Sequence, residues 1–414
     1  MKRPLHIGLL TPEYVTEERK DGGLANYLQK IASEFVRRNH RVTVFLLSDR
    51  NQHWKDGEID IIEVRRAETP KLPAWLRNKL ERFLPVITAL RSAKRIEKAV
   101  WRHHQITPFD VLQTSSYSSP GFALRRNGKI PVVCRISSYF PMVRSAHGTQ
   151  RGFAEYLTDW LEIRQVLDAD ASFAPSQFIA DAFERLESFR PVVIRTPIDS
   201  RNTELDDSVY QKEFSRFPYF LFVGRLSRVK GIDVLAEAIP HFLQKRPDVH
   251  FVFIGRDDGL PGFRQAIDSV LTQSNNFQGN IHYIPALSKS KLYPVIRHSL
   301  ALLSPSRVDN YPNACLEAHS MQVPVIGTEN SSLEEMIREN ETGFLIKNGD
   351  VLELTAAMLK VAGMSDLERS QMKQNIQKYA QSVEAENRIE QLIRLYSEAI
   401  EKHAHRNRVS LSKL

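Results

Sequence analysis

Cysteine is almost missing from this chain, with only Cys134 and Cys315 among 414 residues. Both fall in expected interior elements far apart in sequence, so neither a disulfide framework nor a zinc-site spacing is on offer, and a reducing cytoplasm suits the chain. Long apolar runs are missing too. The amino terminus MKRPLHIGLLTPEY holds only a four-residue apolar run, Ile7 to Leu10, before Pro12, which is too short for a signal peptide. No window approaches the length of a membrane span. The loop after the first expected strand, TPEYVTEERKDGGLA, lacks Gly-x-Gly-x-x-Gly, which disfavours a nicotinamide oxidoreductase. No repeat period, heptad or low-complexity tract intrudes.

What is present suits a soluble globular protein: 42% of residues are hydrophobic and 26% charged. The length exceeds what one hydrophobic core normally serves, so two domains are expected. The net charge of +8 is unevenly placed, because residues 1–200 hold 31 Lys and Arg against 23 Asp and Glu, while the remainder balances. Most of the excess lies in Lys71 to Arg102, where nine basic residues face two acids. Trp75, Leu76, Leu80, Phe83, Leu84, Ile87 and Leu90 recur there at roughly helical spacing. Two readings compete: a solvated helix face covering the core, and a surface that lies on anionic lipid. Nucleic acid is disfavoured, since aromatic and basic residues do not interleave as single-strand binding requires.

Short apolar runs alternate with longer amphipathic stretches throughout, the pattern of parallel sheets flanked by helices. In the first half HIGLL, RVTVFLL, IDIIEV, FDVLQTS, IPVVCRI, ASFAPS and PVVIRTPID read as strands. After a polar stretch the alternation restarts at YFLFVG and continues through HFVFIG, IHYIPA, SLALLSP, VPVIGT and GFLI. The fold class expected is α/β, with two doubly wound Rossmann-like domains facing across a cleft. Residues 1–200 form the first domain, 201–217 a linker, 218–385 the second domain, and 386–414 a carboxyl-terminal helix and tail returning to the first.

Two segments carry chemistry. Strand FLFVG ends at Gly224 and runs into RLSRVKG, then a helix. Gly224 lets backbone come close, Arg225 can fork onto phosphate oxygens, and Lys230 adds a point charge near a helix amino terminus, so diphosphate is the expected ligand. In SPSRVDNYPNACLEA, Pro312 suits a helix start, and the amides of Asn313, Ala314 and Cys315 are expected to face outward as an anion-binding tip. Glu317 lies one turn further in, suited to accept hydrogen bonds from ribose hydroxyls, and Asp309 would meet the opposite end of the same ligand.

Strand-GRLxxxKG-helix, an acid and Glu-Ala eight positions on after a Pro-Ser strand end, then a VPVIGT strand: this set resembles the GT-B retaining glycosyltransferases of family 4 (glycosyl transferases group 1). The resemblance covers most of the chain. It includes TPEY and DGGLANYLQKIASEFVRRNHRVTVF at the start, ADASFAPSQFIADAF in the middle, and ENETGFLI with SVEAENRIEQLIRLY at the end. The resemblance implies a sugar moved from a nucleotide-diphosphate sugar to an acceptor with retained anomeric configuration, without metal and with no cofactor beyond that co-substrate. It implies that Arg225 and Lys230 hold the diphosphate, Glu317 binds ribose, and the amides of Asn313 and Ala314 meet the distal phosphate or sugar. Asp309 would stand for the family's first motif carboxylate, and Gly22 and Gly23 would let a loop approach the donor.

Two positions depart from the family. Asp309 replaces the usual glutamate, withdrawing the carboxylate by about 1.5 Å. Ser137 or Ser138 occupies the region where a histidine is common, and no hydroxyl replaces a charged imidazole. A nucleotide-sugar-binding protein without turnover is therefore the alternative. The acceptor stays open, and the setting expected is cell-envelope polysaccharide synthesis in the cytoplasm, with peripheral contact to the inner face of the membrane through Lys71 to Arg102.

Other residues read as structural: Asp168-Ala169-Asp170 at a helix-to-strand junction, His103-His104 at a helix end, and Asp257-Asp258 in a turn. His319 suits either site or core.

Overall fold

The computed structural model describes residues 3–15, 22–71, 73, 81–137, 139–147, 152–198, 204–256, 277–385 and 387–411. They divide into two compact units, one made of Met1–Val15, Leu24–Arg195 and Asn387–Leu414, the other of Thr16–Gly23 and Thr196–Glu386.

In the first unit the strands are β1 (His6–Thr11), β2 (Arg41–Ser48), β3 (Gln52–Asp56), β4 (Ile59–Arg65), β5 (Val111–Ser115), β6 (Val132–Arg135), β7 (Ala171–Ala174) and β8 (Val192–Val193). Their order in the sheet is β3-β4-β2-β1-β5-β6-β7-β8, and only β3 and β4 run antiparallel. The apolar runs are continuous because both faces are covered. Ile7, Leu9, Val42 and Val44 pack beneath Leu28, Ile31 and Phe35 of helix Gly23–Arg37 and beneath Leu392 and Tyr396 of helix Arg388–Leu411. Leu10, Phe45 and Leu47 pack with Ile96 and Val100 of helix Leu84–Ile106. Each such side chain contributes about 1.5–3 kcal/mol when fully buried. The last helix is fixed by polar contacts as well: the Tyr396 hydroxyl donates to Gln113 Oε1 at 2.6 Å, and His403 and Arg406 meet Asp170 at 3.2 and 3.0 Å.

The second unit holds β9 (Tyr219–Val223), β10 (His250–Ile254), β11 (Ile281–Ile284), β12 (Leu302–Ser304), β13 (Val325–Thr328) and β14 (Gly343–Ile346). The sheet order β11-β10-β9-β12-β13-β14 is parallel throughout. Chain direction reverses its spread between β9 and β12, so the crevice expected of a doubly wound sheet opens at their carboxyl ends. Phe220 and Phe222 face Leu235, Ile239 and Phe242 of helix Ile232–Leu243; Tyr219 and Leu221 face the cluster of Cys315 and Leu316 from helix Asn313–Ser320.

Several expectations change. Strand β3, QHWKD, was not anticipated, since an edge strand paired on one side needs almost no apolar residues. The strand read in PVVIRTPID shrinks to Val192–Val193, and the helix around Leu333 to Glu339 to a single 3-10 turn, Ser332–Glu335, because the chain must return to β14 within a few residues. Over its described part the polar stretch 201–217 is packed: Phe214 is buried against Tyr219 and also meets Phe217. A few aromatics anchor a segment whose average composition is polar. The expected helix near Phe263 to Leu271, Asp257, Asp258, Ser138, and Trp75, Leu76 and Leu80 of the basic segment lie outside the described residues.

Candidate functional site

The loops that leave β9 and β12 meet. Gly231 has φ 71°, and a Cβ there would stand 1.9 Å from the Pro305 carbonyl oxygen, so only glycine lets the two loops touch. The Arg307 amide donates to Val229 O at 2.7 Å, while its guanidinium forks onto Asp233 at 2.6 and 2.9 Å. Asp233 lies in the first turn of helix Ile232–Leu243, where an acid is favoured by the helix dipole. Gly224, with φ 147°, ends β9, and a Cβ on its neighbour Gly255 would stand 1.9 Å from the Gly224 oxygen. Backbone therefore crowds backbone at the switch point.

Within this frame Lys230 forms an ion pair with Asp309. The Asn310 amide donates to the other carboxylate oxygen of Asp309 at 2.9 Å, and Ser306 Oγ approaches at 3.5 Å. A lysine after β9 and an acid after β12 thus share one position in space. Arg225 is exposed at the mouth of the same loop. Tyr311, at φ 121°, is the strained residue that turns the chain into Pro312, and the helix then runs Asn313–Ser320. Pro312 is its N-cap rather than its first residue, with no side chain capping the turn. Asn313 and Ala314 are partly exposed at the tip.

Cys315 corrects the expectation of an outward face: it is fully buried, and burial pushes its thiol up. Glu317 is 8% exposed, one turn inside. His319 belongs to the core, where burial lowers its imidazole to about 4. Gly224, Arg225, Lys230, Asp309, Asn313, Ala314 and Glu317 are therefore all in the second unit. Ser137 follows β6 in the first, its amide donating to Ser116 Oγ at 3.0 Å and its hydroxyl to Arg135 O at 3.3 Å. Gly22, at φ 117°, precedes helix Gly23–Arg37, which Gly23 opens.

Sequence reading missed Arg307, Asp233 and Gly231 as the clamp between the two loops. The signal was an arginine just past the Pro-Ser strand end together with an aspartate in a helix's first turn. Of the residues judged structural, Asp168, Asp170 and His104 have structural contacts. Asp168 accepts from Arg125, Arg126 and Arg164 at 3.2, 2.6 and 3.0 Å, Asp170 Oδ2 accepts the Val132 amide at 2.9 Å, and His104 Nδ1 accepts the Phe109 amide at 2.9 Å.

Comparison with known proteins agrees with this fold. The model of glycosyl transferases group 1 matches residues 207–408, and that of glycosyltransferase family 4 matches residues 21–202. The D-inositol 3-phosphate glycosyltransferase of Gordonia bronchialis is 23% identical over 190 residues, covering 45% of this chain and 41% of that protein. The chain spans less than half the length of the curated relatives it matches. Among solved structures, sucrose-phosphate synthase from Thermosynechococcus elongatus superposes with TM-score 0.77 at 16% identity over 95% of this chain and 98% of that one. Anabaena HepE in complex with UDP and glucose gives TM-score 0.70 at 16% identity over 95% and 99%. These two likenesses show a shared fold, the two Rossmann-like units of the GT-B class.

Proposed function

Because the chain belongs to the group 1 glycosyltransferases of family 4, we propose that it moves a sugar from a nucleotide-diphosphate sugar to an acceptor hydroxyl with retention and without a required metal. The observation that carries this reading is the meeting of Lys230 and Asp309 at the switch point of the second sheet. An ammonium and a carboxylate set there, beside exposed Arg225 and an uncapped helix tip, suit a ligand whose one end is polyanionic and whose other end is hydroxylated.

In the reaction proposed, the bond from the anomeric carbon to the phosphate oxygen breaks and the acceptor oxygen bonds to that carbon. The acceptor proton passes to the departing phosphate on the same face. Lys230 and Arg225 stabilise the departing oxygens. Phosphate competing for the Lys230 ammonium frees Asp309 to accept from sugar hydroxyls, and Glu317 accepts from ribose. Incubation with UDP, GDP and ADP sugars tests the reading by nucleoside-diphosphate release, with or without added acceptor. Tight binding without release under every condition would favour the alternative, a nucleotide-sugar-binding protein, which the substitutions Asp309 and Ser137 motivate.

Membrane contact is part of the proposal, on a defined surface. Helix Leu84–Ile106 buries Ser92, Ala93, Ile96 and Val100, while Arg91, Lys94, Arg95, Lys98 and Arg102 are exposed. Phe83 at its start touches Phe153, ring centroids 5.4 Å apart, and helix Phe153–Leu167 exposes Phe153, Tyr156 and Trp160 by 51, 49 and 46%. Exposed aromatics beside a row of cations match an anionic lipid interface. Co-sedimentation with phosphatidylglycerol vesicles should fall steeply with salt and drop on Trp160→Ala; salt-independent or absent binding rejects the contact. Among the described residues no helix is long and apolar enough to cross a membrane.

A further inference from the structure

The loop that carries Asp309 leaves β12 at Pro305, and neighbouring main-chain groups of it are held by three different strand ends. The Ser306 carbonyl accepts the hydroxyl of Thr328, the last residue of β13, at 2.6 Å. The Arg307 amide donates to Val229 O, past β9, at 2.7 Å, and the Arg307 carbonyl accepts Asn348 Nδ2, past β14, at 3.1 Å. Asp309 follows two residues later. Its carboxyl oxygens accept the Asn310 amide at 2.9 Å and pair with Lys230, while Ser306 Oγ approaches at 3.5 Å. Ser306 thus joins the two sets of contacts, its carbonyl held by Thr328 and its hydroxyl beside the carboxylate.

Thr328 is 0% exposed, so it touches no ligand and can act only through the groups it binds. A hydroxyl carries one hydrogen to give. Ser331 Oγ lies 3.4 Å from Thr328 Oγ1, but Ser331 donates its hydrogen to Thr328 O at 2.8 Å and accepts the Leu333 amide at 3.2 Å. The Thr328 hydrogen is therefore free for Ser306 O, which has no other donor among the described residues. Remove that hydroxyl and a carbonyl on a buried residue loses its partner, so the loop must shift to find another. Threonine is branched at Cβ and stiff about its first torsion, which keeps the hydroxyl aimed. The side chain that such a shift would displace is Asp309, and a working carboxylate must be held to within about 0.5 Å.

We propose that Thr328 is a positioning residue for sugar transfer, with Asn348 as its outer counterpart: by holding Ser306 and Arg307 they fix the Asp309 carboxylate in its working place. The inference rests on the sugar-transfer reading for the carboxylate's task, but not for the holding of the loop. The experiment uses the full chain and measures two things, transfer kinetics and amide hydrogen exchange. Thr328→Val keeps the shape and removes the hydroxyl. It should lower kcat by about tenfold or more and leave the donor KM within about threefold, because Lys230 sits in a turn of its own, its amide bonded to Ser227 O at 2.9 Å. Thr328→Ser should restore most of the rate. In an Asp309→Asn background Thr328→Val should cost almost nothing more, since the group it positions is already disabled. Exchange of the Arg307 and Asn310 amides should quicken in Thr328→Val while that of Leu221, in β9 of the same sheet, stays slow. Should Thr328→Val not fold, Asn348→Ala, an exposed change, should lower kcat a few-fold and only where Asp309 is intact. The inference is overturned if kcat is unchanged, if the loss is as large in the Asp309→Asn background, or if Leu221 quickens as much as Arg307. A native chain that transfers no sugar would instead sink the transfer reading, and exchange alone would then decide whether Thr328 holds the loop.

Discussion

The two units are built differently around their strand ends. In the second, a few charged residues at fixed spacing are drawn together by backbone: Lys230 and Asp309 pair because Gly231 lets its loop touch Pro305. In the first, a cavity of about 380 Å³ is lined by residues from three strands' ends and three helices, and the Glu162 carboxyl beside it is raised by burial rather than by a neighbouring charge. A diphosphate has the same shape and charge whatever sugar it carries, so its cradle can be short and stereotyped.

The sharpest way to break this comparison is to neutralise the cations. Arg225→Ala or Lys230→Ala should reduce sugar transfer by about 10²- to 10³-fold, as losing one preorganised oxyanion donor does. Nucleoside-diphosphate affinity by calorimetry should fall with it; an unchanged affinity in the double variant would remove the second unit's role.

A matched pair of glycines tests the backbone half of the comparison. Gly231 and Gly128 share φ 71°, but a Cβ at Gly128 meets nothing within 4 Å. Gly128→Ala should cost only the left-handed penalty, about 1–2 kcal/mol. Gly231→Ala adds a collision with a main-chain oxygen, so it should be the more destabilising in denaturant melts and should also weaken UDP binding, which the Gly128 variant should leave intact. Equal effects would mean that the loop contact does not shape the site.

Burial separates the units in their response to pH. Glu162 rises from 4.5 to about 8 on folding, so its contribution to stability is full below about 4.5 and is lost as pH rises through about 8. His319 falls from 6.5 to about 4, so its contribution is present above about 6.5 and is lost as pH falls through about 4. Glu162→Gln should flatten the alkaline fall, and His319→Phe the acid one, each changing the slope by up to about 1.4 kcal/mol per pH unit. Identical profiles for wild type and variants would show that neither side chain is held as described.

The smallest effect concerns the departure at the motif acid. Asp309 reaches Lys230 despite its shorter side chain. Asp309→Glu should change transfer by only a few-fold, whereas Asp309→Asn should cost clearly more, the comparison being of kcat with one donor and acceptor.

The legible parts of the molecule were those where local pattern and tertiary role coincide. Continuous runs such as RVTVFLL gave β2, and the apolar stripe of GLANYLQKIASEFVR gave the helix after β1, because both faces of a parallel sheet must be covered. That Arg225, Lys230 and Asp309 lie in loops just past strand ends was readable because the apolar runs mark where β9 and β12 stop. Strand β3 and the packed segment around Phe214 were not, since edge pairing and single aromatic anchors leave almost no periodic trace. Cys315 lies in the interior as its element suggested, but the whole residue is buried, so the outward tip is left to Asn313 and Ala314.

By itself the sequence determined the two-sheet alternation and the family, since these depend on periodicity and short-range spacing. Only the tertiary structure decided that Lys230 meets Asp309 across 79 residues, that Arg307 clamps the loops through Asp233, and that burial raises the Glu162 carboxyl. Each of those depends on which distant backbone excludes water from which side chain, and desolvation is a property of neighbours in space rather than of neighbours along the chain.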